Sequence, residues 1–190
     1  MGARVRKTVT IVFSDVVGST GLGERLDPES FQHVMTRYGS EMRRVLERHG
    51  GRVEKFIGDA VMAVFGVPVL HEDDALRAVR AALEMRAALA DLNRELDRDY
   101  GVELGIRIGV HTGEVITDER ALDQGLIAGD AVNAAARLTE LAKDVDGLLV
   151  ASWESVESAD DDEAAHWRKH DTVTLRGRST ETVLAIPTGQ

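Results

Sequence analysis

Asp15 and Asp59 each stand at the end of a short apolar stretch, TVTIVFS before the first and VEKFIG before the second, with glycine close by. Two carboxylates brought into one cleft offer hard oxygen donors. That suits Mg²⁺, which keeps several waters and is held by one or two carboxylates together with substrate phosphates. Aspartate is equally at home in turns, where its side chain bonds the neighbouring backbone, and spacing alone leaves both readings open. After Asp15 the run Val16-Val17-Gly18-Ser19-Thr20 carries little bulk at Gly18 and Ser19. The backbone N–H groups of Val17, Gly18, Ser19 and Thr20 are therefore suited to cradling phosphate oxygens. The run lacks the GKS or GKT ending of a Walker loop, and Gly18, Gly21 and Gly23 do not follow the dinucleotide-fold order. Asn133 and Arg137 stand four apart and share one face of a predicted helix. A neutral amide and a permanently charged guanidinium there suit one substrate, although an exposed polar stripe has the same spacing. Lys55 precedes Asp59 by four residues, and solvation alone also explains a lysine there. His71-Glu72-Asp73-Asp74 has the residue types of a metal cluster, but acids at the start of a helix answer its dipole, and that reading is adopted. His111 is expected to be structural, and no serine or cysteine nucleophile motif is present.

These side chains need elements to hold them. Thr8 to Phe13 reads as a buried strand that delivers Asp15 to a polar, glycine-bearing loop from Ser14 to Gly23. Asp27, Pro28 and Glu29 open a helix whose apolar residues recur from Phe31 to Leu46 until Gly50 and Gly51 stop it. Arg52 to Ile57 and Ala60 to Phe65 form a hairpin about Gly58 and Asp59. A second long helix runs from Asp73 to Asp97. A strand region follows from Leu104 to Val110, expected to turn at Thr112–Gly113 into Glu114 to Thr117. Ala128 to Leu141 is an alanine-rich helix. Leu148 to Ala151, Thr172 to Leu175 and Thr182 to Ile186 are further strands, and the acid run Asp160 to Glu163 reads as a solvated loop. Strands and long helices alternate without regular βαβ spacing, which predicts an α+β sandwich with helices packed on a mixed or antiparallel sheet.

With 190 residues and 43% hydrophobic content the chain builds one substantial core, and its middle contains no linker. One domain is expected over residues 8–187, after a tail of residues 1–7. A net charge of −10 repels phosphate backbones and anionic lipid, so neither nucleic acid nor membrane is an expected partner. A small polyanionic substrate needs that field offset locally by divalent ions and a few Lys or Arg residues. The absence of cysteine excludes disulfides, thiolate zinc sites and cysteine nucleophiles. Without an apolar run that spans a bilayer or makes a signal peptide, the expected location is the cytoplasm.

Five strings in order carry a resemblance: FSDVVGST (Phe13–Thr20), VEKFIGDAVMAVFG (Val53–Gly66), RIGVHTGEV (Arg107–Val115), GDAVNAAARL (Gly129–Leu138) and LRGRS (Leu175–Ser179). From Lys7 to Ile186 the chain resembles the class III adenylyl and guanylyl cyclase catalytic domain of bacterial type. Such domains include ones fused to the N-terminus of large regulatory ATPases, so attached regulatory or ATPase domains are possible partners. The resemblance implies a ferredoxin-like βαββαβ core and conversion of ATP to cyclic AMP and pyrophosphate. It implies two Mg²⁺ or Mn²⁺ ions per active site on Asp15 and Asp59, assisted by the carbonyl of Val16. Arg137 then neutralises charge at the α-phosphate, Asn133 orients the ribose, Lys55 reads the adenine ring and Arg176 holds the terminal phosphates. Because each site of the family takes its metal residues from one subunit and the rest from another, a head-to-tail homodimer is implied. One departure stands out: seven residues before Asn133, where Asp or Thr accepts from the adenine amino group, this chain has Leu126. The expected consequence is a weaker preference for ATP over GTP. A regulatory dimerisation module that is catalytically weak or silent is the alternative.

Overall fold

A computed structural model describes residues 4–117 and 127–189. The first strand, β1 (Val5–Val17), is followed by a short helix α1 (Ser19–Arg25), a long helix α2 (Pro28–Arg48) and the hairpin β2 (Arg52–Ile57) and β3 (Ala60–Phe65). Helix α3 (Asp74–Tyr100) leads to β4 (Gly105–Thr117). After the undescribed segment come α4 (Asp130–Leu141), β5 (Leu149–Ser152), two short helices α5 (Trp153–Glu157) and α6 (Asp161–Ala164), and the strands β6 (Trp167–Thr174) and β7 (Glu181–Pro187). The sheet order is β2-β3-β1-β4-β5-β7-β6. Its first four strands, with α2 and α3 as crossovers, make the expected βαββαβ core. The β4–β5 pair is parallel and the other described pairs antiparallel, so the sheet is mixed.

Strand alternation sorts the core into two faces. Val12 and Val16 of β1, Val61, Ala63 and Phe65 of β3, and Ile106, Ile108 and Val110 of β4 pack against the buried stripes of α2 and α3. Val9, Ile11, Met62, Val64 and Val115 look the other way, onto Ala131 and Ala135 of α4. Asp27 caps α2 by accepting from the Ser30 backbone N–H at 3.0 Å, and Pro28 occupies the first turn, where its missing donor costs nothing. Gly101 ends α3 in the left-handed conformation. No helix of the described residues is long and apolar enough to cross a membrane.

Three local expectations change. The Thr112–Gly113 turn is absent: β4 pairs with β1 without a register break from Val17 opposite Gly105 to Val5 opposite Thr117. Its glycines serve close packing instead, because a Cβ at Gly109 would meet the Ala135 carbonyl oxygen and the Thr139 backbone nitrogen of α4, both at 2.5 Å. The loop expected from Ser14 to Gly23 is strand as far as Val17 and helix from Ser19, joined at Gly18 with φ of 71°. The acid run is a capped turn of helix, with Asp160 accepting from the Glu163 backbone N–H, and Glu163 is buried against Trp167 and Arg80. In addition, β1 begins at Val5, so the last three residues of the expected tail, Val5 to Lys7, are strand.

Candidate active site

The two acids sit on neighbouring segments, since β1 pairs with β3 of the β2–β3 hairpin. Ser14, the residue before Asp15, lies opposite Val61, where the β1–β3 pairing ends two residues beyond Asp59. Asp59 occupies the hairpin turn and is half-buried. Both carboxylates act on the same two groups: each helps to raise the Tyr38 hydroxyl, pushed up to about 12 chiefly by burial, and each raises the Arg107 guanidinium. Tyr38 lies beneath them, its hydroxyl 3.4 Å from Ser14 Oγ. Two acids whose fields reach the same groups offer hard oxygen donors of the kind that fit a Mg²⁺ or Mn²⁺ site, and Val16 directly follows Asp15 in β1. His71, Glu72, Asp73 and Asp74 form no metal cluster. Asp74 is buried and accepts from the His71 backbone N–H and from Arg77, as a helix-start acid should.

The other predicted residues surround this pair at different removes. Val17 is 43% exposed at the end of β1. Gly18 precedes the first turn of α1, where Ser19 and Thr20 stand and the opening N–H groups have no intrahelical acceptor. A bulge between Val53 and Lys55 absorbs Glu54, whose fully buried carboxylate lies 3.1 Å from Arg52, and returns Lys55 to register opposite Met62. Lys55 is exposed on edge strand β2. Asn133 is exposed on α4, and Arg137, on the same helix, donates to both oxygens of Glu140 at 2.9 and 2.8 Å. Arg176 is exposed in the β6–β7 turn. The order of strands sets β2 and β7 five spacings apart, roughly 24 Å. The contacts within one protomer join Asp15 to Arg107 and Arg137 to Glu140. Leu126 lies outside the described residues.

Two arginines carry roles that the sequence reading passed over. Arg107 faces Asp15 directly across the β1–β4 ladder and donates from Nε and an Nη to its two oxygens, each at 2.8 Å. A lone cation between Ile106 and Ile108 in an apolar strand was the available signal, since such a charge calls for a carboxylate. Arg178 pairs with Asp130 at 2.9 Å and so ties the β6–β7 turn to the first turn of α4. Arg178, Asp130, His111, Glu114, Arg6 and Glu154 line a cavity of about 410 Å³ at that end of α4, well away from Asp15 and Asp59.

His111 is 1% exposed there, and burial, with Arg178 second, pushes it down to about 4 from its ordinary value near 6.5. Between those values the unfolded chain binds a proton that the folded chain refuses. Stability therefore rises with pH through this window and is flat above it. Acidification from pH 6.5 to 4 is expected to remove up to about 3 kcal/mol through this one group. Urea unfolding across that range should give this slope for the wild type and a reduced slope for His111→Gln; equal slopes would assign the effect to another residue.

Comparison with known proteins gives one consistent outcome. Residues 2–187 match the family described as the adenylate and guanylate cyclase catalytic domain. An uncharacterized protein of Mycobacterium tuberculosis is 36% identical over 182 residues, which are 94% of this chain and 32% of that protein. A Mycobacterium bovis protein, also uncharacterized, is 37% identical over 184 residues, 96% of this chain and 31% of its own length. The chain thus spans about a third of the curated relatives it matches. Among solved structures, the guanylyl cyclase Cya2 superposes with a TM-score of 0.84 at 32% identity, covering 100% of this chain and 95% of that one. The adenylyl cyclase CyaB from P. aeruginosa gives 0.84 at 28% identity, covering 99% and 97%.

Proposed function

The chain belongs to the family of adenylate and guanylate cyclase catalytic domains, and from that premise we propose that it converts ATP to 3′,5′-cyclic AMP and pyrophosphate at a site shared by two copies of itself. The observation that carries this reading is the placement of Asp15 near the end of β1, bonded by Arg107, beside the hairpin whose turn holds Asp59, in a chain that also carries Asn133 and Arg137. Asp15 and Asp59, with the Val16 carbonyl, would hold two Mg²⁺ or Mn²⁺ ions. Such ions lower the pKa of a bound hydroxyl and steady phosphate charge.

In the reaction the ribose 3′-oxygen bonds to the α-phosphorus, the bond from that phosphorus to pyrophosphate breaks, and the hydroxyl proton passes to solvent. The chain's work is positioning and charge compensation. Asn133 orients the ribose and Arg137 neutralises the α-phosphate. The N–H groups from Val17 to Thr20, together with Arg176, hold the remaining phosphates. Lys55 donates to the adenine ring, which favours ATP. Because the chain carries both the two acids and the Asn133–Arg137 pair, a head-to-tail homodimer would set these two groups of residues against each other at each shared site. The proposed setting is the cytoplasm, with regulatory or ATPase domains attached in the full-length protein. Leu126 favours a second reading, a silent nucleotide-binding dimerisation module, because leucine cannot accept from the adenine amino group.

The deciding experiment incubates the protein with ATP or GTP and Mn²⁺ or Mg²⁺, beside Asp59→Ala, and quantifies cyclic nucleotide and pyrophosphate by mass spectrometry. Cyclic AMP that disappears in the variant is the expected result, and Lys55→Glu should move the preference from ATP toward GTP. No cyclic product at concentrations where dimers form would leave the silent module as the better account.

A further inference from the structure

We propose that Arg107 is the resident cation of the Asp15 carboxylate: in the nucleotide-free protein it occupies both oxygens and holds off a free divalent ion, so that the ion enters together with a nucleotide's negative charge. The inference rests on the reading of Asp15 as a metal ligand.

Three observations support it. The pair is bidentate, at 2.8 Å on each side, the geometry in which a guanidinium fork matches a carboxylate most fully. It is built into the sheet, because Asp15 and Arg107 are direct cross-strand partners in an unbroken ladder, and their side chains are only 24% and 27% exposed. Neither has to be drawn from solvent to find the other. Finally, Asp59 and Glu140 add their fields to that of Asp15 around the same guanidinium and so help to hold the arginine where it stands.

A divalent ion on Asp15 would sit beside this fixed positive charge among side chains that are only partly exposed. Their repulsion is weakly screened there and scales with the ion's double charge. The acid count is too low to absorb both cations: Glu140 is already paired with Arg137, Asp15 and Asp59 carry two negative charges between them, and Arg107 already cancels one. A nucleotide triphosphate reverses the balance by bringing the missing negative charge. Free ion alone should therefore bind weakly, and ion and nucleotide should bind with strong mutual coupling, which by linkage is reciprocal.

The test is calorimetric titration of Mn²⁺, with no turnover involved, into the wild type, Arg107→Gln and the double variant Arg107→Gln/Asp15→Asn. Circular dichroism serves as the check on folding. Without nucleotide, Arg107→Gln should bind Mn²⁺ roughly ten-fold more tightly than wild type, and the double variant should lose that gain. A non-hydrolysable ATP analogue should raise the Mn²⁺ affinity of the wild type more than that of Arg107→Gln. Equal or weaker Mn²⁺ binding by a folded Arg107→Gln overturns the proposal. If the glutamine variant does not fold, Arg107→Lys keeps a charge but loses the fork; it should bind Mn²⁺ more tightly than wild type by a smaller factor, and equality again overturns the idea. The metal reading has a separate check. If Asp15→Asn and Asp59→Asn leave Mn²⁺ binding unchanged with the analogue present, that reading is itself wrong; if they abolish it while Arg107→Gln matches wild type, only the role of Arg107 falls.

Discussion

Arg137→Ala is expected to lower kcat by roughly a hundred- to a thousand-fold while leaving KM and stability nearly unchanged. In the proposed reaction the guanidinium matters most as charge builds on the α-phosphate, and removing one such electrostatic donor costs about 2.7 to 4 kcal/mol of barrier. Little folding energy is at stake. Arg137 is 41% exposed and its Glu140 partner 60%, and an i,i+3 pair on a helix surface contributes only about 0.3–0.5 kcal/mol, screened further by salt. Steady-state cyclic AMP production alongside thermal unfolding separates the two effects. A variant that retains near wild-type turnover would remove Arg137 from the chemistry, and one that unfolds early would show that its pair with Glu140 matters more than its exposure suggests. Mixing Arg137→Ala with Asp59→Ala adds a test of the shared site. If the site is shared by two copies, each variant alone is strongly impaired and one site of a mixed dimer would draw both intact halves, so partial recovery of activity is expected.

The second large effect is structural. Gly109→Val places a branched side chain where α4 already lies on β4: the added Cβ alone would meet the Ala135 carbonyl oxygen and the Thr139 backbone nitrogen at 2.5 Å and the Thr139 hydroxyl at 2.6 Å. Backbone atoms cannot swing aside as a flexible side chain does, so the whole helix must shift. Overpacking of this kind costs about 1–3 kcal/mol and sometimes more. The shift would also strain the bonds from the Thr139 hydroxyl to the Phe13 and Ala135 carbonyls, which fasten α4 near the strand that carries Asp15. The expected result is a lower midpoint in urea unfolding. Cyclase activity should fall further than the folded fraction, because Asn133 and Arg137 ride on the displaced helix. Activity that simply tracked the folded fraction would mean that α4 is not held to sub-ångström placement for function.

The residue sequence by itself determined the core elements and their order. The apolar periods of α2 and α3, the Asp27–Pro28 start, the Gly58–Asp59 hairpin and the apolar run from Thr8 to Phe13 in β1 are local signals, because each depends on neighbours within a few residues. Motif order was also sufficient for the family, and it singled out Asp15, Asp59, Asn133 and Arg137 as residues worth testing.

Tertiary structure alone decided what those residues touch. Gly113 read locally as a turn, and only the approach of α4 explains it as a packing glycine inside a continuous strand, where a Cβ would lie 3.0 Å from that of Ala131. Arg107 is 92 residues from Asp15 along the chain, and no local pattern links them until the β1–β4 register sets them face to face. Likewise, the acids from Asp160 to Glu163 looked solvated until Trp167 and Arg80 were placed against Glu163. The physical reason is common to all three. Propensity and periodicity act over one or two turns of chain, whereas ion pairing and close packing depend on which distant segments the sheet brings within a few ångströms.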